Sequence, residues 1–504
     1  MTTIDLSADD LFGNDAAEDE SDDVFNAYAL ARDEVNSFSD PYRKICIARA
    51  YKGEGKSALL RLAMNEVIKS SGGNSIITYG SVSSFSPAIQ TEDFTIWVRE
   101  WKKSLFARIA NEVGSKIGFA WNDDEVSLVE QAEKGGFRSR SFVSTIIDRI
   151  SLKGKAHIGE IEFNTKKPGI SEAEGVLKRW VDGKEPIWIF IDDVDLNFQN
   201  NALNKLKVAS FFVACREVVN SVQEIRIRAT VRPNVWTIIK MEFEALSHIE
   251  QYITDLSWSE ESMRRLLSKR VEGYCKRRKL WPTILENLPT DIVRRDIALI
   301  SYVFEPQMLW NKTQRSPHTI LYTLSKHRPR WMIELAKTAG IKAVKNKHSK
   351  INRHDIFEVL DVFGKKRVED TIAEFRSQCP EVGELLSAFS RENEELSTDE
   401  LIQIINTKIL SHTSPNITGC IGKSTALDVA AFLFEIGFIY ARRDFFDGSY
   451  EHISFSDKPA LLKSRTNVDS GFKWEIHPVY RQALEIRDSS GIMVSAQKKI
   501  YIRK

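Results

Sequence analysis

The chain of 504 residues is poor in cysteine. Cys46, Cys215, Cys275, Cys379 and Cys420 are odd in number and far apart, and no two form a CxxC pair. That pattern excludes a disulfide framework and a structural zinc site of the usual spacing. Cys46 lies inside an apolar run and reads as a small buried hydrophobe. No apolar stretch approaches the ~20 residues that span a bilayer, so no membrane partner is expected. The N-terminus lacks both an apolar signal core and basic residues, which argues against export and for a cytoplasmic protein. Internal repeats are also missing. Net charge is nearly absent at +1.

That small total hides an uneven distribution. Residues 1–31 hold nine acids and no Lys or Arg. An acidic leader therefore precedes a mildly basic body. Apolar residues make up 42% and charged residues 28%. These proportions fit a globular protein, and the length allows two or three domains.

The pattern along the chain suggests four parts. Residues 1–37 read as an acidic leader, flexible through residue 23, followed by a helix over 24–37. Residues 38–256 alternate short apolar runs with helical periodicity, as expected for an α/β core with a parallel sheet. Strands are expected at 44–48, 75–79, 187–191 and 225–231, and helices at 57–70, 92–117 and 205–219. Within this part, residues 120–185 are polar and glycine-dotted, and read as an insertion or flexible region. Residues 257–375 are almost wholly helical. Residues 376–504 carry three helical segments, then aromatic-rich alternating stretches near 438–446 and 450–455, and a helix over 478–486. Three helices followed by a β-ribbon is the order of a winged-helix domain.

The chemistry concentrates at Ala50-Tyr51-Lys52-Gly53-Glu54-Gly55-Lys56-Ser57. It fits the phosphate-binding pattern G-x-x-x-x-G-K-[ST], with Ala50 in place of the first glycine. Gly53 and Gly55 let the backbone bend so that N–H groups of the loop, through Glu54 and on to Ala58, face a phosphate. The helix that begins near Lys56 adds its N-terminal dipole. Lys56 would supply a cation to the β- and γ-phosphates of ATP, and Ser57 a hydroxyl ligand to Mg2+. A strand before the loop and a helix after it set this motif apart from Gly419-Cys420-Ile421-Gly422-Lys423-Ser424. That second stretch also ends in Gly-Lys-Ser, but a polar segment precedes it and no buried strand does.

A partner motif closes the apolar strand at 187–191. Asp192 would hold the magnesium, directly or through water, and Asp193 would orient or polarise the attacking water. Asp195 reads as a turn or cap acid. Arg232 follows the strand at 225–231 and would stabilise developing phosphate charge, unless it is a plain turn arginine.

With these residues assembled, the chain resembles bacterial STAND-type and related AAA-like P-loop ATPases. The resemblance rests on Leu11-Phe12-Gly13-Asn14, the loop Lys52 to Leu59, Asp192-Asp193-Val194-Asp195, Arg232 with Asn234-Val235-Trp236, and Leu256-Ser257-Trp258-Ser259. It implies a P-loop NTPase parallel-sheet core, a helical lid subdomain and a C-terminal winged-helix domain. His327-Arg328-Pro329-Arg330-Trp331 resembles the element that opens a lid helix, which makes Arg328 or Arg330 the nucleotide-sensing arginine. The resemblance further implies ATP hydrolysis, a homo-oligomer, and a regulatory switch of the anti-phage defence kind that acts with a separate effector protein. The competing reading is a DNA-binding ATPase of the initiator or transposition-regulator type. Basic clusters at Arg264-Arg265, Lys269-Arg270, 276–279 and 342–350 support it, although such charges are often merely solvated.

Overall fold

The computed structural model describes residues 4–14, 20–28, 30, 32–116, 128, 170–181, 184–310, 313–446, 450–463 and 471–488. The expected 120–185 region therefore lies mostly outside the described residues. Within it, a helix is described over Ile170–Val181. The chain folds as two compact units. One comprises Ala31–Tyr51 and Lys56–Leu256, and the other Met1–Leu30, Lys52–Gly55 and Ser257–Lys504.

The first unit is an α/β layer structure around a parallel sheet. Its strands are β1 (Ile45–Arg49), β2 (Ile76–Ser81), β3 (Ile187–Asp192), β4 (Ile225–Val231) and β5 (Ile253–Asp255), in the order β2-β3-β4-β1-β5. β3 is buried at every position, which is why it reads as an unbroken apolar run rather than an alternation. On one face, Cys46, Ala48, Trp188 and Phe190 pack with Phe38 and with Leu59, Leu60, Ala63 and Val67 of helix Lys56–Ser70. On the other, Ile47, Ile189, Ile191 and Ile227 meet helices Phe94–Lys116, Ala202–Ser221 and Pro233–Glu242. Trp97, Trp101, Leu105, Ile109 and Val113 form the buried stripe of helix Phe94–Lys116, as their spacing predicts. Residue 228 is a buried arginine inside β4. Its guanidinium donates to the carbonyls of Phe38, Asp40 and Arg43, so burial leaves its N–H groups satisfied.

The second unit is largely helical, with small antiparallel sheets. Helices Glu260–Arg277, Trp281–Leu285, Ile292–Ser301, Pro317–Leu324, Pro329–Lys345 and Arg353–Phe375 follow one another. They are interrupted by the hairpin β6 (Met308–Trp310) and β7 (Thr313–Arg315). Beyond them, helices Val382–Ser387, Thr398–Ile404 and Ala426–Glu435 accompany β8 (Glu395–Leu396), β9 (Ile439–Asp444), β10 (Tyr450–Ile453) and β11 (Lys473–Ile476). These strands form an antiparallel sheet in the order β10-β9-β11-β8.

Three expectations need correction. The leader is not uniformly loose. Leu6, Leu11, Phe12 and Phe25 are buried in the second unit, and Phe12 lies 6.1 Å from Phe304 ring to ring. Asp10 pairs with Arg278 at 2.8 Å, and Arg277 donates to the Asp10 carbonyl at 2.6 Å. A few apolar side chains and one acid thus fix a segment whose composition suggests disorder. The helix expected over 24–37 is two helices, Asp22–Tyr28 and Asp33–Ser39. The helix expected over 478–486 stops at Pro478–Arg481, and Glu485 takes a positive φ of 53°.

Candidate functional site

β1, β3 and β4 end on the same edge of the parallel sheet, the carboxyl edge at which such sheets bind ligands. Loop 50–55 leaves β1, Asp192 closes β3, and Arg232 follows β4.

Lys56 opens helix Lys56–Ser70 and is buried. Its Nζ donates to the carbonyls of Ala50 at 3.1 Å and Tyr51 at 3.5 Å, so the cation curls back over its own loop. The first turn of this helix contains no acid, which leaves the N-terminal dipole uncompensated by a carboxylate of its own. Ser57 and Ala58 are half-buried in the same turn.

Asp192 is buried at the end of β3. Its Oδ1 accepts from the Thr230 hydroxyl at 2.6 Å and from the Asp193 N–H at 2.9 Å. Its Oδ2 accepts no hydrogen bond from the described residues. Asp193 takes a φ of 46°, a left-handed conformation that Asp tolerates better than most side chains. Burial, and then the neighbouring Asp192 charge, raise its carboxyl above the ordinary aspartate range. A carboxylate with raised proton affinity is a better proton acceptor from water.

Asp195 is fully buried rather than a solvated turn acid. Arg232 pairs with its carboxylate through Nε and donates from Nη2 to its carbonyl at 2.9 Å. A quarter of the Arg232 side chain stays exposed (25%), while its guanidinium is anchored on Asp195.

Residues Lys52–Gly55 belong to the second unit, and their partners explain the loop's shape. Gly53 and Gly55 have φ of 85° and 96°. A Cβ on Gly53 would lie 3.0 Å from Arg330 Cβ, so both backbone and space require glycine there. The Arg330 N–H donates to the Gly53 carbonyl at 3.2 Å, and Trp258 Nε1 donates to the Glu54 carbonyl at 2.8 Å. Glu374 accepts from the Lys52 N–H at 3.2 Å and pairs with Arg328 at 2.9 Å, both side chains being buried. Arg328 also lies 4.5 Å from the Trp331 ring. Arg328 is committed to Glu374, which keeps it firmly charged. For the Arg330 guanidinium no partner is described.

The structure thus gathers Lys56, Ser57, Asp192, Asp193 and Arg232 along one sheet edge of the first unit. It sets Arg328 and Arg330 beside loop residues 52 and 53 in the second. Sequence reasoning missed Thr230, Glu374 and the Asp195–Arg232 pair. Thr230 had only a weak signal, a hydroxyl one residue before the end of a strand that also carries Arg226 and Arg228. Glu374 had none, because it meets the loop from 322 residues away in sequence.

The second Gly-Lys-Ser stretch is built differently. No strand precedes it, Lys423 is exposed, and the Ser424 hydroxyl donates to the Pro415 carbonyl at 2.7 Å. Helix Ala426–Glu435 begins with a reciprocal cap in which the Asp428 carboxylate accepts from the Thr425 N–H at 2.8 Å. An anion of the chain's own already occupies that helix start.

The basic clusters are extensively paired. Arg264 and Arg265 face Asp296, Lys276 meets Glu272, Arg277 and Arg278 meet Asp10, and Lys342 meets Glu358. Among the described residues there is no cluster of metal-ligating side chains with three or more His, Cys, Asp or Glu, and no helix long and apolar enough to cross a membrane.

No family profile matches the chain. Over 505 residues it is 21% identical to the putative transposon gamma-delta 80.3 kDa protein of Escherichia coli (strain K12), which covers 94% of this chain and 67% of that one. Among solved structures it is similar to the Aeropyrum pernix ORC2 protein in its ADPNP-ADP complexes. The identity there is 12%, coverage is 97% of this chain and 98% of the other, and the TM-score is 0.40. It is also similar to CDC6P from Pyrobaculum aerophilum, at 9% identity, 97% and 98% coverage and a TM-score of 0.31. Drosophila ORC bound to DNA gives 9% identity, 96% and 91% coverage and a TM-score of 0.31. Likeness at this level says nothing of activity.

Proposed function

We propose that the chain is an ATP-binding and ATP-hydrolysing P-loop switch. The observation that carries this reading is the edge of the parallel sheet. A buried lysine begins a helix with no acid in its first turn, and a buried aspartate closes a neighbouring strand with one carboxylate oxygen that accepts no hydrogen bond from the described residues.

The donor set fits magnesium, a hard cation that takes oxygen ligands. Ser57 and Asp192 would hold it, and it would offset phosphate charge in the transition state. Lys56 would exchange the carbonyls of Ala50 and Tyr51 for phosphate oxygens. Asp193 orients the attacking water and accepts its proton. Arg232, anchored by Asp195, would stabilise developing charge. Of the two arginines at the start of helix Pro329–Lys345, Arg328 is held by Glu374.

The finer reading is a STAND-like switch in which ATP favours self-association and hydrolysis resets it, with a separate effector as partner and a role in bacterial defence. Asp193→Asn tests both halves. ATP binding should persist, phosphate release should slow by about 100-fold, and light scattering should show the ATP-assembled state accumulating. An unchanged hydrolysis rate would overturn the role of Asp193. A constant mass with and without ATP would overturn the assembly switch. The competing reading is a DNA-associated ATPase, and the Escherichia coli relative is described as a putative transposon protein. The paired basic residues weigh against it, and salt-dependent DNA binding would support it.

A further inference from the structure

We infer that Thr230 is a positioning residue for the metal-binding carboxylate, an inference that rests on the nucleotide-site reading above. Thr230 lies near the end of β4, the strand between β3 and β1. Ala229 pairs with Ile191 in register, so Thr230 and Asp192 stand level at the carboxyl edge. On the other side Thr230 pairs with Ala48 of β1, two residues before the phosphate loop begins. Asp192 shares its strand face with Phe190 and Trp188, two residues of the core under helix Lys56–Ser70.

The Thr230 side chain is fully buried and uses its hydroxyl twice. It donates to Asp192 Oδ1 at 2.6 Å and accepts from the Asp193 N–H at 2.9 Å. That N–H is shared with Asp192 Oδ1, so three groups close a small ring. The ring has two consequences. Oδ1 is saturated by donors, which turns Oδ2 into the oxygen left for a cation. The backbone at Asp193 is held in its left-handed conformation, which fixes the direction of the carboxylate assigned to water. A hydroxyl in a hydrophobic sheet would be costly without partners, and here it is fully used in orienting two acids. Groups that orient metal ligands in this way typically change metal affinity by about 10–100-fold when removed.

Thr230→Val keeps shape and volume and removes the hydroxyl. ATP binding of the full chain is measured by calorimetry in magnesium and in EDTA, and Mn2+ binding by electron paramagnetic resonance. The valine variant should bind ATP in EDTA as the wild type does. Its requirement for divalent cation should rise by about 10–100-fold, and Thr230→Ser should restore it. Should the valine variant not fold, Thr230→Ala carries the same comparison. A wild type that binds ATP with cation dependence, alongside a folded variant with the same dependence, overturns the positioning role alone. A wild type that binds no ATP overturns the site reading and this inference together.

Discussion

Two loops of this chain end in Gly-Lys-Ser and lead into a helix. Both place two glycines at positive φ before the lysine, Gly53 and Gly55 in one and Gly419 and Gly422 in the other, so local backbone shape does not separate them. Their surroundings do. The first lies between a buried strand and a helix whose first turn has no acid. It is gripped by Glu374, Arg330 and Trp258. The second follows turns, exposes its lysine, spends its serine on Pro415, and meets a helix start already capped by Asp428. A phosphate site needs unsatisfied donors held still, and three residue types in a row provide neither property alone.

The largest expected effect comes from loosening the grip on the first loop. Arg328→Ala leaves the buried Glu374 carboxylate without its cation. Breaking a buried pair from one side costs about 3–5 kcal/mol. Chemical denaturation should show the loss, and Arg328→Met with Glu374→Leu should recover much of it. A loss below about 1 kcal/mol would mean that the pair is solvated and does not shape the loop.

Lys56→Ala comes next. The fold should survive, because among the described residues Lys56 donates only to carbonyls of its own loop. ATP affinity should fall at least about 100-fold, or two decades at about 1.4 kcal/mol each. Calorimetry with ATP and magnesium decides it, and unchanged affinity would remove the assignment.

The glycines sharpen the comparison. Gly53→Ala meets both an unfavourable φ and Arg330 Cβ at 3.0 Å, so the loop must shift. ATP affinity should drop by about 10-fold or more, about 1.4 kcal/mol. Gly422→Ala meets only the unfavourable φ, with nothing within 4 Å. It should cost about 1–2 kcal/mol of stability and leave ATP binding alone. Equal effects of the two substitutions on ATP affinity would erase the distinction between the loops.

The sequence reveals those elements whose burial is local and periodic. β3 is a continuous apolar run through Ile191, and helix Phe94–Lys116 shows its stripe in five aromatic and aliphatic positions. Short strands escape, because β5 and β8 have three and two residues and no pattern of their own. They exist through pairing with β1 and β11. The burial of Leu11 and Phe12 escapes for a similar reason, since the partners Phe304 and Arg270 are distant in sequence. Within the candidate site, residue types carry the phosphate chemistry. The connections of Thr230 to Asp192, Asp195 to Arg232 and Glu374 to Lys52 arise only when the chain folds.

The smallest expected effect is that of Lys423→Ala. Its side chain is exposed and the neighbouring Ser424 and Thr425 already have partners, so the substitution removes one solvated charge. Surface changes of this kind usually stay within about 0.5 kcal/mol. The melting temperature and steady-state ATP hydrolysis should both match the wild type, the latter within a few-fold, about 1 kcal/mol on the barrier scale. If turnover fell as far as in Lys56→Ala, with the melting temperature unchanged, the second loop would be part of the chemistry. The cap by Asp428 would then have to open when nucleotide binds. Thr425→Ala would separate the two accounts. It weakens the cap, so a nucleotide-binding second loop should gain affinity, whereas a purely structural helix start should only lose about 1 kcal/mol of stability.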